Sequence, residues 1–109
     1  MNSKKTLIFT ATYNEKENIS KLLDLIISLK LETDIYIIDD NSPDKTYETL
    51  KNYSEKYFFI KYKVRPNKLG LDTAHKEGYQ FAKINRYQNF ISMDADLSHD
   101  PNEINNFIN

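Results

Sequence analysis

Cysteine is absent from the 109 residues, so disulfides, thiolate metal sites and cysteine nucleophiles are excluded, and a reducing, cytoplasmic compartment fits. Only two glycines occur, Gly70 and Gly78. Neither a glycine-rich dinucleotide loop nor a P-loop can be built from them, which removes a phosphate cradle made of backbone amides. No excess of one charge exists: 15 Lys and Arg stand against 16 Asp and Glu, for a formal net charge of -1. Nothing therefore marks a nucleic-acid binder. Long apolar runs are missing too. The N-terminal MNSKKTLIFTATYNE is neither a signal peptide nor a membrane span, so membrane contact from this stretch would be peripheral. What remains is 39% hydrophobic and 13% aromatic, enough for one small domain with a core.

Strand and helix signals alternate along the chain. Thr6–Thr10 reads as a buried strand, and Asn14 with Glu17 as a variant capping box. Ile19, Leu22, Leu23, Ile26 and Ile27 then follow at helical spacing to about Lys30. Ile35–Ile38 is a second buried strand. It stops at the turn DDNSPD, where Ser42 as cap and Pro43 as first helical residue would open the next helix. Tyr47, Leu50, Tyr53 and Tyr57 give that helix an apolar stripe, read as core. Phe58–Val64 is a third strand, residues 71–83 a third helix with Ala74, Phe81 and Ala82 inward, and Phe90–Met93 a fourth strand. Asp100, Pro101 and Glu103 then mark another helix start. Four strand–helix alternations predict a parallel sheet flanked by helices. The last helix pattern stops after about two turns, which reads as the N-terminal part of a longer domain.

In open parallel sheets, ligands sit beyond the carboxyl ends of the strands. Here those ends carry Ala11-Thr12-Tyr13-Asn14-Glu15, Asp39-Asp40 and Asp94-Ala95-Asp96. In MDADLSHDP, Asp94, Asp96, Ser98 and Asp100 fall on alternate residues. So dense a set of oxygen donors suits a hard divalent cation, Mg²⁺ or Mn²⁺. Such a cation would neutralise a diphosphate in place of the missing backbone cradle. Plainer readings stand beside these. Asp39 and Asp40 can be turn formers, Asp100 reads better as a helix cap than as a ligand, and Ser98 fits either role. His75 reads as an exposed or packed histidine, and Arg65 and Lys68 either as solvated loop charges or as facing phosphate. An EF-hand is rejected: His99 stands where glycine is required and Asn105 where a bidentate glutamate belongs. A receiver-type phosphoacceptor domain is rejected because the acid pair follows the second strand, and Val64-Arg65-Pro66 the third.

The segments ATYNEKENI, IIDDNSPDKT, RPNKLGLDTAHKEG and MDADLSHDP resemble, in order and spacing, family 2 glycosyltransferases of the GT-A fold. They are most similar to the dolichol-phosphate (polyprenol-phosphate) mannose synthases. The resemblance implies an α/β, Rossmann-like GT-A fold, an open and mostly parallel sheet flanked by helices, of which residues 1–109 would be the nucleotide-binding half. It implies transfer of mannose from GDP-mannose to a polyprenyl (dolichyl) phosphate, metal-assisted and inverting. Ala11, Tyr13 and Glu15 would line the nucleotide pocket, and Ile38 and Asp40 would meet the guanine–ribose part. Asp94 and Ala95 would meet the diphosphate, and Asp94, Asp96 and Ser98 would hold Mg²⁺ or Mn²⁺. Ala11 replaces a common proline, Asp72 a usual glycine and His75 a frequent tyrosine. Those last two changes bear on the Gly70–His75 turn. A chain lacking the acceptor-binding half is expected to be weakly stable and inactive alone. Two alternatives are kept: a family 2 enzyme using a UDP-sugar, and a noncatalytic nucleotide- or metal-binding module.

Overall fold

A computed structural model describes residues 6–67 and 69–93. Its elements run β1 (Thr6–Thr12), α1 (Lys16–Ser28), β2 (Thr33–Asp39), α2 (Thr46–Lys56), β3 (Ile60–Val64), α3 (Leu71–Ile84) and β4 (Asn89–Ser92). All strand pairs are parallel, in the order β3-β2-β1-β4. Each strand expected from the sequence is present, with ends moved by a residue or two. The helix expected from Asp100 and the metal motif itself lie outside the described residues.

β1 and β2 are buried along nearly their whole length, as central strands covered on both faces must be. Alternate residues feed two cores. Ile8, Ile35, Ile37 and Ile60 meet Ile19, Leu22, Leu23 and Ile26 of α1 and Leu50 of α2. On the other face Leu7, Phe9, Tyr36 and Ile38 meet Ala74 and Ala82 of α3. The α3 side is aromatic: Tyr36 stacks on Phe81 at 3.9 Å between centroids, and Phe9 takes His75 edge-on. His75 is thus a packed histidine, its Nδ1 3.0 Å from Ser92 Oγ. On β3 at the sheet edge, Lys61 and Lys63 are exposed, which discourages pairing with another chain.

Two helix starts differ from expectation, for one reason. α1 begins at Lys16 without a side-chain cap from its own N-cap residue, and α2 begins at Thr46 rather than at Pro43. The side chains expected to cap locally are engaged across the two loops instead. Asn14 Oδ1 accepts from the Asp44 amide, and Ser42 Oγ accepts from the Asn14 amide at 2.9 Å. Asp44 in turn accepts from the first amides of both helices, Lys16 N and Thr46 N. Tyr47 also departs from the expected stripe and is exposed, whereas Leu50 is buried and Tyr53 and Tyr57 are half-buried against the core.

Candidate nucleotide-sugar site

Because every strand runs the same way, Thr12, Asp39 and Met93 reach one edge of the sheet. The strand order reverses between β1 and β4, and in open parallel sheets ligands sit at such a point. Met93 N bonds Phe9 O at 2.9 Å, which carries the β1–β4 ladder one residue past Ser92 and to the threshold of Asp94.

The first two aspartates of this edge are committed inside the protein. Asp39 is fully buried and accepts from Thr12 Oγ1 and Ser42 Oγ, both at 2.6 Å, and from Ser42 N at 3.0 Å. It therefore ties β1 to the turn after β2, as the turn-forming reading anticipated. Asp40, 6% exposed, faces the α3 side. Its Oδ1 accepts from Arg65 Nε, and its Oδ2 from Arg65 Nη2 at 2.8 Å, Leu69 N at 3.1 Å and Gly70 N at 3.3 Å.

Arg65 was open between a solvated and a phosphate-facing charge; it is neither. It is 2% exposed and also donates to Thr73 Oγ1, Glu77 Oε2 and Gly70 O. Two carboxylates on one guanidinium compensate its burial. The hydrogen bond to Asp40 first, and that to Glu77 next, outweigh desolvation and hold the guanidinium firmly charged. Glu77 also bridges to Lys63 at 2.7 Å, and this bond, ahead of the one from Arg65, pulls its carboxyl below the usual range. Lys63, Glu77, Arg65 and Asp40 form a chain of alternating charge. Sequence reasoning missed it, because its members are spread over β3, α3 and the residues just past β2 and β3. The one local signal was an arginine directly after a strand with no acidic neighbour in sequence.

Gly70 closes this corner. At φ 99° and ψ 155° it occupies backbone space that side-chain-bearing residues avoid, and from there its amide reaches Asp40 while its carbonyl accepts from Arg65. The Gly70–His75 segment is the cap and first turn of α3. Asp72 is exposed there, and its charge suits a helix N-terminus.

The remaining expected contacts are placed as follows. Ala11 is half-buried and paired in register with Ile38. Tyr13 is half-buried just beyond β1. Glu15 is the N-cap residue of α1 and accepts from Asn18 Nδ2 at 3.1 Å. It borders an open groove of about 300 Å³ that also includes Asn14, Lys16 and Asp44. Ile38 is 0% exposed and packs in the α3-side core, so it shapes the site from beneath and has no surface to offer a ligand. Asp94, Ala95, Asp96 and Ser98 lie outside the described residues, among which no group of three His, Asp or Glu could hold a metal ion.

Residues 7–109 match the family model described as Glycosyl transferase family 2. The chain belongs to this family. Its relatives include the dolichol-phosphate mannosyltransferase of Pyrococcus furiosus, 36% identical over 102 residues, 92% of this chain and 28% of that protein. The polyprenol monophosphomannose synthase of Mycolicibacterium smegmatis is 28% identical over 97% of this chain and 40% of its own length. The undecaprenyl-phosphate mannosyltransferase of Micrococcus luteus is 29% identical over 92% and 41%. The chain thus spans well under half of each of these relatives. Among solved structures, a Pyrobaculum calidifontis mannosyltransferase in complex with GDP-Man and Mn²⁺ superposes with a TM-score of 0.72. It is 18% identical, over 88% of this chain and 28% of that one, and establishes the GT-A fold for this family 2 chain.

Proposed function

We propose that residues 1–109 form the donor-binding part of an inverting glycosyltransferase that moves mannose from GDP-mannose to a polyprenyl phosphate. The observation that supports this most is convergence: the ends of β1, β2 and β4 meet at one sheet edge beside the strand-order reversal, in a chain of family 2. The named activities of its relatives agree with it.

The residues divide the work by position. Tyr13 and Glu15 border the nucleotide at the end of β1, and Asp40 presents an acceptor to the base. Asp39 and Asp40 spend oxygens within the protein, so of the acids at this edge Asp94 and Asp96 are left to meet the diphosphate side. Their all-oxygen donor set, with Ser98, fits Mg²⁺ or Mn²⁺, which when bound would neutralise the departing diphosphate. An acceptor phosphate oxygen attacks the anomeric carbon from the face opposite the diphosphate. The new C–O bond forms as the old one breaks, and GDP leaves with the electron pair, inverting the centre. A phosphate monoester is largely dianionic at neutral pH, so its attacking oxygen has no proton to lose. A lipid acceptor implies peripheral contact with a membrane surface; no helix among the described residues is long and apolar enough to cross one.

The test is calorimetric titration of GDP in the presence and absence of Mn²⁺, on the wild-type chain and on Asp96→Ala. Saturable, Mn²⁺-dependent binding that disappears in the variant is expected. Equal affinity in both proteins would remove the carboxylate from the site. Mannosyl transfer from GDP-mannose to a polyprenyl phosphate, assayed with this chain and with a longer one, separates an enzyme part from a noncatalytic binding module.

A further inference from the structure

We propose that Ser42 is a positioning residue: its hydroxyl fixes where Tyr13 and Glu15 stand, without itself meeting a ligand. The inference rests on the donor-binding reading above and deepens it. Ser42 is 5% exposed and does not line the open groove beside Glu15. A hydroxyl can donate one hydrogen bond while it accepts others, and Ser42 uses both capacities. It donates to Asp39 Oδ1 at 2.6 Å and accepts from Asn14 N at 2.9 Å. Asp39 is fully buried and also accepts from Thr12 Oγ1 at 2.6 Å. The hydroxyl therefore carries the placement of β1 and β2 over to the loop between β1 and α1. Asn14, the residue it holds there, stands between Tyr13 and Glu15.

The backbone of these loops would not keep its shape unaided. Asn14 is left-handed at φ 56°, and in the loop after β2 so are Asn41 at 55° and Lys45 at 60°. Such conformations persist only where the surroundings over-determine them, and they gather at ligand sites. Here the surroundings are bonds that cross between the loops. Asn14 N donates to Ser42 Oγ, Asp44 N to Asn14 Oδ1 at 3.3 Å, and Lys16 N to Asp44 Oδ2 at 3.2 Å. The bond to Ser42 is the shortest of the three, and its acceptor is itself tied to the fully buried Asp39. Without the hydroxyl, Asn14 N has no acceptor there and the loop samples other arrangements. A ligand that needs one arrangement then binds more weakly in proportion to that arrangement's population.

The experiment is calorimetric titration of GDP, with Mn²⁺ present, into the intact chain and three variants, at a temperature where circular dichroism shows each one folded. Ser42→Ala removes the hydroxyl and Ser42→Thr keeps it. Tyr53→Phe removes a hydrogen bond between α1 and α2 about two turns further along both helices. Ser42→Ala should bind GDP about tenfold more weakly than the wild type, as a loop in place about a tenth of the time would. Ser42→Thr and Tyr53→Phe should both stay within about threefold of the wild type. Unchanged affinity in Ser42→Ala would overturn the proposal while leaving the donor site standing. So would equal weakening in Tyr53→Phe, which would mean that any loosening of the two helices suffices, or equal weakening in Ser42→Thr, which would take the role from the hydroxyl. Should Ser42→Ala not fold, Asn14→Gly decides, because glycine tolerates the left-handed backbone and gives up only the bond from Asp44 N. Weaker GDP binding in it supports the proposal, and unchanged binding overturns it. Failure of the wild-type chain to bind GDP would bring down the donor-site reading itself, and this inference with it.

Discussion

Gly78 lies flat against the ring of Phe9. A Cβ built on Gly78 would stand 2.5 Å from Phe9 Cδ1 and 2.6 Å from Cε1. Phe9 is fully buried on β1, between His75 and Phe90, so it has nowhere to retreat. Gly78→Ala therefore opposes two effects. Alanine gains about 1 kcal/mol of helix propensity in the middle of α3. Overpacking a tight contact costs about 1–3 kcal/mol, and with an immobile ring the upper part of that range applies. The variant should be destabilised by about 1–2 kcal/mol net, a melting temperature lower by roughly 4–15 °C for a chain this size. An unchanged or raised melting temperature would show that α3 can slide away from β1.

Arg65 offers a sharper case, because its partner stays behind. In Arg65→Met the Asp40 carboxylate keeps the Leu69 and Gly70 amides but loses its cation in a nearly closed environment. Breaking a buried pair from one side costs about 3–5 kcal/mol. Replacing both members, in Arg65→Met with Asp40→Asn, should cost less than the two single changes added together. Urea midpoints for the three variants and the wild type close this cycle. Simple additivity would mean that the pair is worth nothing in the fold.

Asp44 joins two helices that sequence reading had capped separately. It accepts from Lys16 N and from Thr46 N and Oγ1. Burial opposes its ionisation, but the Thr46 hydroxyl and the two amides outweigh that, and the carboxyl titrates below its usual range. Asp44→Ala strips a cap from both helices and should cost about 1–2 kcal/mol. Asp44→Asn, which keeps the acceptor oxygen, should recover most of it. The sign of the pH effect follows from the lowered value. The stability Asp44 contributes is complete above the ordinary aspartate range near pH 4 and is lost as pH falls through the folded-state value. Glu77, lowered by its bonds to Lys63 and Arg65, adds to the same acid limb. Thermal melts from pH 7 down to 3 should show a smaller acid loss in Asp44→Ala than in the wild type.

Much of the architecture was legible because it depends on short-range pattern. Continuous apolar β-branched runs such as Ile35–Ile38 are what a two-sided parallel strand requires. The spacing of Ile19, Leu22, Leu23 and Ile26 fixes one helix face, and those four are buried. The convergence of three strand ends on one edge follows from parallel topology once the alternation is read. Less of the site was legible, because its chemistry is made between elements. Asn14, Ser42 and Asp44 each looked like a local cap or turn former, and each serves the neighbouring loop. Asp40 and Arg65 are 25 residues apart, and no periodicity links them. Ile38, assigned to the ligand through the resemblance, is part of the core because strand alternation turns it towards α3, two residues before Asp40. Tyr47 fits an apolar stripe by spacing alone, but α2 starts late and turns it outward.

At the alkaline end the sign reverses, and Tyr53 on α2 shows why. Its hydroxyl donates to Asp24 Oδ1 of α1, with the Ser20 carbonyl 3.3 Å away, so it ties the two helices on that face of the sheet together. Burial, and then the hydrogen bond to Asp24, push the phenol up to about 12. In the unfolded chain a tyrosine ionises near pH 10. Between those values the unfolded state has released a proton that the folded state retains, so stability falls as pH rises. The contribution is complete below about pH 10 and is gone once pH passes through about 12. Tyr87, raised by burial and by its bond to Asp34, acts in the same direction on the α3 side. Tyr53→Phe keeps the ring against the core and removes the ionising group. It should cost about 1 kcal/mol at pH 7, the ordinary worth of a hydrogen bond, or up to about 3 because its acceptor is charged. Chemical denaturation from pH 9 to 11.5 should then give a shallower loss for Tyr53→Phe than for the wild type, the remaining slope belonging to Tyr87 and the other tyrosines. Parallel curves for the two proteins would show that Tyr53 ionises freely in the fold and that its bond to Asp24 does not hold α2 against α1.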